Sequence, residues 1–331
     1  MVKLKINLYR FYRRLPSKLF KWLYCLYAKQ LSPPTQKQSR LIEDLRSTFL
    51  TLSVEQTDSE SVLSQTWLEF QKALKKEVAE QDPRSFLRWP VILNTMFPDD
   101  PEYLPIEFAV IRKDTEWLSR WKKAIQETSI GRPMPFWRYR NSSSNTIHQA
   151  YHILVFEHEW DQRINYFDQV LEFGGGYGCL RRVIHNLGYN GSYCISDFPT
   201  FSALQNYYLL QSELPIGNGI GGTLLLSDID QFLDVCQAAK GKVLFIANWS
   251  LSETPFELRT RVLSEVARHC TAFLIGYQDE ICGIDNATYF ADWSASIAEK
   301  FECRVIKIEH LRGNNYLMGW KTEAFGKHTV K

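Results

Sequence analysis

The sequence has no run of eighteen apolar residues, no Cys-x-x-Cys pair and no large excess of either charge. The first absence leaves no transmembrane helix to place. The second concerns seven cysteines, at 25, 179, 194, 236, 270, 282 and 303. Their scatter suits a reducing cytosol better than a secreted disulfide scaffold. The third, a net charge of +2 over 331 residues, gives no global electrostatic reason to expect nucleic acid as a partner. Acid is also missing locally: Glu43 is the first in the chain. What is present, 45% hydrophobic residues with 23% charged, suffices to bury a sizeable core.

The acid-free start, LKINLYRFYRRLPSKLFKWLYCLYAK, has helical spacing. Leu4, Leu8, Phe11, Tyr12, Leu15, Leu19, Leu23 and Leu26 form one face, and Lys3, Arg10, Arg14 and Lys21 fall mostly on the other. Pro16 kinks or splits it. Lys18 and Lys21 interrupt the apolar segment a secretory signal needs. Residues 1–30 therefore read either as a peripheral contact with the inner face of an anionic membrane, or as a helix packed on the protein or on a second subunit of a homo-oligomer. With the cysteine pattern, the expectation is a cytoplasmic protein, membrane-associated on the first reading.

The chain divides by pattern near residue 140. LSPPT at 31–35 is a linker or turn, and a helical pattern runs from Leu41 to about Lys76. Prolines 83, 90, 98, 101 and 105 then cut the chain into short pieces. Residues 1–140 read as a mainly helical region that closes over an acceptor or forms an interface. Residues 141–325 read as a separate domain. There, short apolar runs recur: QVLEF, SYCIS, TLLLS, KVLFIAN, AFLIGY, CRVIKI and NYLMGW, with helical segments at 179–188, 202–212 and 257–270. Strands alternating with helices imply a doubly wound, mostly parallel seven-stranded α/β sheet. The short HLRGNN link between the last two strands implies an antiparallel terminal hairpin.

In such a sheet the ligand lies at the carboxyl ends of the strands, near the switch point. VLEFGGGYG, at 170–178, follows the first strand. A dinucleotide fingerprint started at Gly174 would put Cys179 at its third small position and leave Glu172 and Gly178 unused. The pattern of Glu172 followed by Gly174, Gly176 and Gly178 uses every residue. The glycines let backbone approach a ligand, and Glu172 suits an ammonium and repels a pyrophosphate. Nineteen residues past Gly178, Asp197 ends the second strand, where an acid can accept both ribose hydroxyls. S-adenosylmethionine meets these demands better than NAD.

EFGGGYG followed by SDFP resembles motifs I and II of class I S-adenosylmethionine-dependent methyltransferases, over residues 141–322. Within that superfamily RNSSSNTIHQAYHILVFE, EFGGGYGCLRRVI and IANWSLSE are similar to bacterial proteins classed as sugar O-methyltransferases. The resemblance implies that Glu172, Gly174, Gly175, Gly176 and Gly178 hold the methionine part, Asp197 the ribose and Phe198 the adenine face. It implies Asp228 for the adenine amino group, with Asn248 and Trp249 facing the transferred methyl. It also implies a sugar or glycoconjugate acceptor. A small-molecule or lipid-linked acceptor, and a non-catalytic partner protein keeping the fold, are the alternatives.

A sugar hydroxyl is a poor nucleophile at neutral pH, so a general base is expected. Glu253, His152, His148 and His269 are the candidates. His148 and His152 are four apart and share a helix face. HQAYH lacks the glutamate of a zinc-protease motif, and no metal is expected. Glu253 could instead cap a helix with Ser250 or Ser252. Asp279, Glu280 and Asp285 read as a solvated loop, and His185 as a packed residue.

Overall fold

The computed structural model describes Leu19 and residues 31–54, 62–96 and 103–324. The basic stretch at 1–30, but for Leu19, lies outside the described residues. No described helix is long and apolar enough to cross a membrane.

The helical pattern at Leu41–Lys76 resolves into two helices, α1 (Gln36–Thr51) and α2 (Val62–Glu80). Thr35 starts α1 with a reciprocal capping box to Gln38, which satisfies two otherwise orphaned backbone donors. Two shorter helices come next, α3 (Pro90–Met96) and α4 (Leu104–Lys113). A small hairpin, Pro135–Phe136 with Tyr139–Ser143, then leads into α5 (Ser144–Trp160), whose N-cap is Ser143. Most of α5 is buried, so it shows no amphipathic stripe.

The sheet comprises β1 (Gln169–Phe173), β2 (Ser192–Ser196), β3 (Thr223–Leu226), β4 (Val243–Asn248), β5 (Ala272–Gln278), β6 (Phe301–Lys307) and β7 (Asn314–Lys321). Its order is β3-β2-β1-β4-β5-β7-β6. β1 to β5 are parallel, and β7 runs antiparallel to both β5 and β6. This is the doubly wound sheet with a terminal antiparallel hairpin that the sequence pattern implies. The crossovers carry α6 (Cys179–Asn186), α7 (Pro199–Gln211), α8 (Ile229–Ala238), α9 (Phe256–His269) and α10 (Asn286–Ser296).

Side chains alternate across the sheet. Val170, Leu244 and Ile246 join one core cluster, while Leu171, Val243 and Phe245 join another on the opposite face. The first cluster also takes Leu45 and Phe49 of α1, Val78 of α2, Phe86, and Ile111 of α4. The early helices thus bury their apolar faces with the sheet. Strand order reverses between the parallel β1 and β4, and a ligand site is expected at their carboxyl ends.

Candidate active site

A cavity of about 650 Å³ opens at that position, within the usual range for a small-molecule site. The glycine loop after β1 forms its floor. Gly174, Gly176 and Gly178 have φ of 76°, 59° and 91°, the left-handed region that glycine enters without a Cβ penalty. A Cβ on Gly174 would also overlap the Ser250 side chain. Ser250 itself donates to the Phe173 carbonyl and so ties the end of β4 to the end of β1.

Two carboxylates flank the loop. Glu172, at the end of β1, is buried and accepts from the Tyr193 hydroxyl at 2.7 Å. Burial pushes its pKa up to about 7. Asp197, after β2, accepts from the backbone N–H of Gly176 at 2.9 Å and of Phe198 at 2.8 Å, and from the Gln205 amide at 3.0 Å. Burial outweighs those hydrogen bonds, and its pKa is also pushed up to about 7. Both acids line the cavity. Each gains from a ligand that offers it a cation or hydroxyl donors.

After β4, Asn248 and Trp249 form another wall. The Asn248 amide oxygen and nitrogen are buried without a hydrogen-bond partner among the described residues, an arrangement that calls for a polar ligand. Trp249 has a φ of 63°, a conformation costly for a bulky residue and associated with functional sites. Its indole donates to Asn314 at 2.7 Å, and its ring packs against His148 and His152 at 5.3 and 5.1 Å.

The histidines part ways. His148 lines the cavity and its Nδ1 lies 3.0 Å from both oxygens of Glu107 on α4. Glu107 is fully buried and also meets His310 Nε2 at 3.1 Å. Burial works against its ionisation, but the two imidazoles overcome it and hold the carboxyl below its usual range. An ionised Glu107 accepts a hydrogen bond from Nδ1–H of His148, and in the neutral ring that tautomer carries its lone pair on Nε2. His152, by contrast, is not among the cavity-lining residues. Its Nδ1 pairs with the Tyr316 hydroxyl at 2.6 Å, and burial drives its pKa well down.

Glu253 lines the cavity but is not a helix cap, which departs from that part of the sequence reading. Its carboxylate accepts from the Trp67 indole at 3.0 Å and from the Gln278 amide at 3.1 Å, and burial raises its pKa. This bond pins α2 over the site, where Trp67 packs against Phe198 at 5.9 Å.

Two implied ligand residues sit elsewhere. Asp228 turns back to cap α8, accepting from Asp230 and Gln231 N–H at 2.8 and 3.5 Å, and its neighbours Ser227 and Ile229 line the cavity instead. Gly178 is the N-cap of α6 and is likewise absent from the lining. Asp285 caps α10. No group of three or more potential metal ligands occurs among the described residues.

Glu107, His310, Gln205, Tyr193 and Trp67 were missed from the sequence. One signal for Glu107 was present. It occupies a position in the buried stripe of α4 with Leu104, Phe108 and Ile111, and an acid there needs a partner.

The fold and site define a doubly wound α/β protein with a ligand cavity at its switch point. No family model matches the chain, and no curated protein does. Solved structures do. Magnesium protoporphyrin IX methyltransferase (ChlM) from Synechocystis PCC 6803 with bound SAM is 15% identical over 65% of this chain and 97% of its own, with a TM-score of 0.40. PigF with SAH is 13% identical over 87% and 100%, at 0.37. The small RNA methyltransferase HEN1 is 10% identical over 53% of this chain at 0.41, and the chain spans only 25% of its length. Identities this low say nothing of the reaction.

Proposed function

We propose that the protein is an S-adenosylmethionine-dependent O-methyltransferase acting on a sugar hydroxyl of a glycoconjugate or polysaccharide precursor. The observation that carries the cofactor is the pair of carboxylates, buried Glu172 and half-buried Asp197, on either side of a glycine loop and on one cavity. In this reading Glu172 meets the ammonium of the methionine part and Asp197 the ribose hydroxyls. Phe198 and Trp67 flank the adenine, and the Asn248 amide gains its missing partners. S-adenosylmethionine supplies an activated methyl group, and the protein supplies alignment, desolvation and a proton acceptor.

His148 is that acceptor. It borders the cavity, and its Nδ1 is committed to Glu107. Nε2 is then free to take the proton of the acceptor hydroxyl, and Glu107 stabilises the imidazolium that results. Glu253 positions α2. His152 supports the Trp249 ring from behind.

The sugar acceptor rests on the combined resemblance of RNSSSNTIHQAYHILVFE, EFGGGYGCLRRVI and IANWSLSE, the first of which folds as the end of the hairpin and most of α5 and carries His148. Calorimetry tests the cofactor: Asp197→Ala and Gly176→Val should each abolish S-adenosylmethionine binding. Unchanged affinity in either would sink the reading. Mass spectrometry of sugars incubated with enzyme and cofactor, seeking a methyl mass gain, tests the acceptor.

A further inference from the structure

We infer that the part of the acceptor entering this cavity is an uncharged, hydroxyl-rich glycosyl unit, and that any phosphate or carboxylate it carries stays outside. The inference rests on the methyltransferase reading and narrows its acceptor.

Charge is the first ground. Among the described residues no lysine or arginine lines the cavity, whereas three carboxylates do: Glu172, Asp197 and Glu253. Burial has already raised the pKa of all three, so the walls tolerate their own negative charge poorly. His148 is the only histidine in that lining, and ionised Glu107 lies directly behind it. On the acceptor side, beside Glu253 and ionised Glu107, an anionic group would add like charge in a poorly solvated space where the described lining offers it no protein cation.

The second ground is the chemistry of the wall around His148. Asn145, His148 and Gln149 stand at the i, i+3 and i+4 positions of α5 and all line the cavity, as that spacing on one helical face allows. Asn94 and Thr95 of α3 join them. The Asn145 amide nitrogen donates to Tyr177 at 3.0 Å, which leaves its oxygen as an acceptor. Carboxamides both donate and accept, as hydroxyls do, so they match a ring of vicinal hydroxyls and satisfy neither a phosphate nor a carboxylate fully. The Tyr103 and Trp249 rings, also in the lining, suit the C–H face of a pyranose.

The test uses the full chain with S-adenosylmethionine and four acceptors: methyl glucoside, methyl mannoside, methyl glucuronide and glucose 1-phosphate. Methylation is followed by mass spectrometry, and cofactor affinity is measured by calorimetry on the same samples. A neutral hexoside should be methylated with kcat/KM roughly tenfold or more above either anion, with the gap changing little with salt because the space is poorly solvated. Gln149→Arg, and Asn94→Arg at the exposed mouth, should each shift the preference toward the glucuronide. A glucuronide or phosphate used as well as the hexosides overturns the inference. Cofactor binding with no product on any hexoside overturns it too, and leaves the cofactor reading standing. Failure of the wild-type protein to bind the cofactor overturns both.

Discussion

Glu107 and His148, forty-one residues apart in the chain, meet at 3.0 Å through a fully buried carboxylate and Nδ1 of a cavity-lining imidazole. The contact joins α4 to α5 and leaves Nε2 as the ring nitrogen not engaged by the acid. His148→Gln should lower kcat by about 10²-fold or more, the contribution of a positioned base, with S-adenosylmethionine affinity unchanged. Glu107→Gln should lower kcat in the same direction without altering cofactor affinity. Equal kcat in His148→Gln and wild type would remove His148 from the mechanism.

Cofactor affinity should depend on pH around neutrality. Glu172 and Asp197 titrate near 7 in the ligand-free protein, and a ligand offering an ammonium and hydroxyls binds their ionised forms. Lowering the pH from 8 to 6 should weaken binding roughly tenfold where one group must ionise and roughly a hundredfold where both must. Calorimetry in buffers of differing ionisation heat should register proton release at pH 6. A flat affinity would show that neither carboxylate is engaged.

The ligand-free protein should show the opposite trend in stability. The folded pKa values lie above the ordinary values of 4.5 and 3.8, so between about pH 4 and 7 the native state holds protons that the unfolded chain has lost. Their contribution to stability therefore falls as pH rises through that window. Glu172→Gln should flatten part of this slope in denaturant titrations, because the amide can still accept from Tyr193.

Asp228 offers a clean separation of cap from ligand. As the N-cap of α8, it should tolerate Asn, while Asp228→Ala costs about 1 kcal/mol. Neither change should alter S-adenosylmethionine affinity. A loss of affinity without loss of stability would return Asp228 to the adenine site.

Gly174→Ala should destabilise the protein by about 1–2 kcal/mol through its left-handed φ alone, and by more because the new Cβ meets Ser250. Chemical denaturation measures the sum.

These expectations draw on a sequence that was legible unevenly. The strands were readable almost to the residue: QVLEF and SYCIS are β1 and β2 as they stand. Short apolar runs cut off by glycine or acid leave little latitude in a buried parallel sheet. α8 and α10 were not anticipated. Around Asp228 the register was taken from resemblance, and there a short polar side chain found its own helix N-terminus before any ligand. Glu172 and Asp197 could be read because strand, turn and acid are consecutive in the chain. The Glu107–His148–His310 and Trp67–Glu253 contacts could not. Each depends on how a separate helix lies across the sheet, which local spacing does not encode.

The apolar faces of α1, α2 and α4 are buried in the same cluster as β1 and β4. On the ribosome those helices are made before any strand they cover. At about 5–20 residues per second, the sheet from Gln169 to Lys321 takes roughly eight to thirty seconds to emerge. Throughout that interval Leu45, Phe49, Val78 and Ile111 lack their final surface. Those apolar faces are therefore completed only by chain made after them.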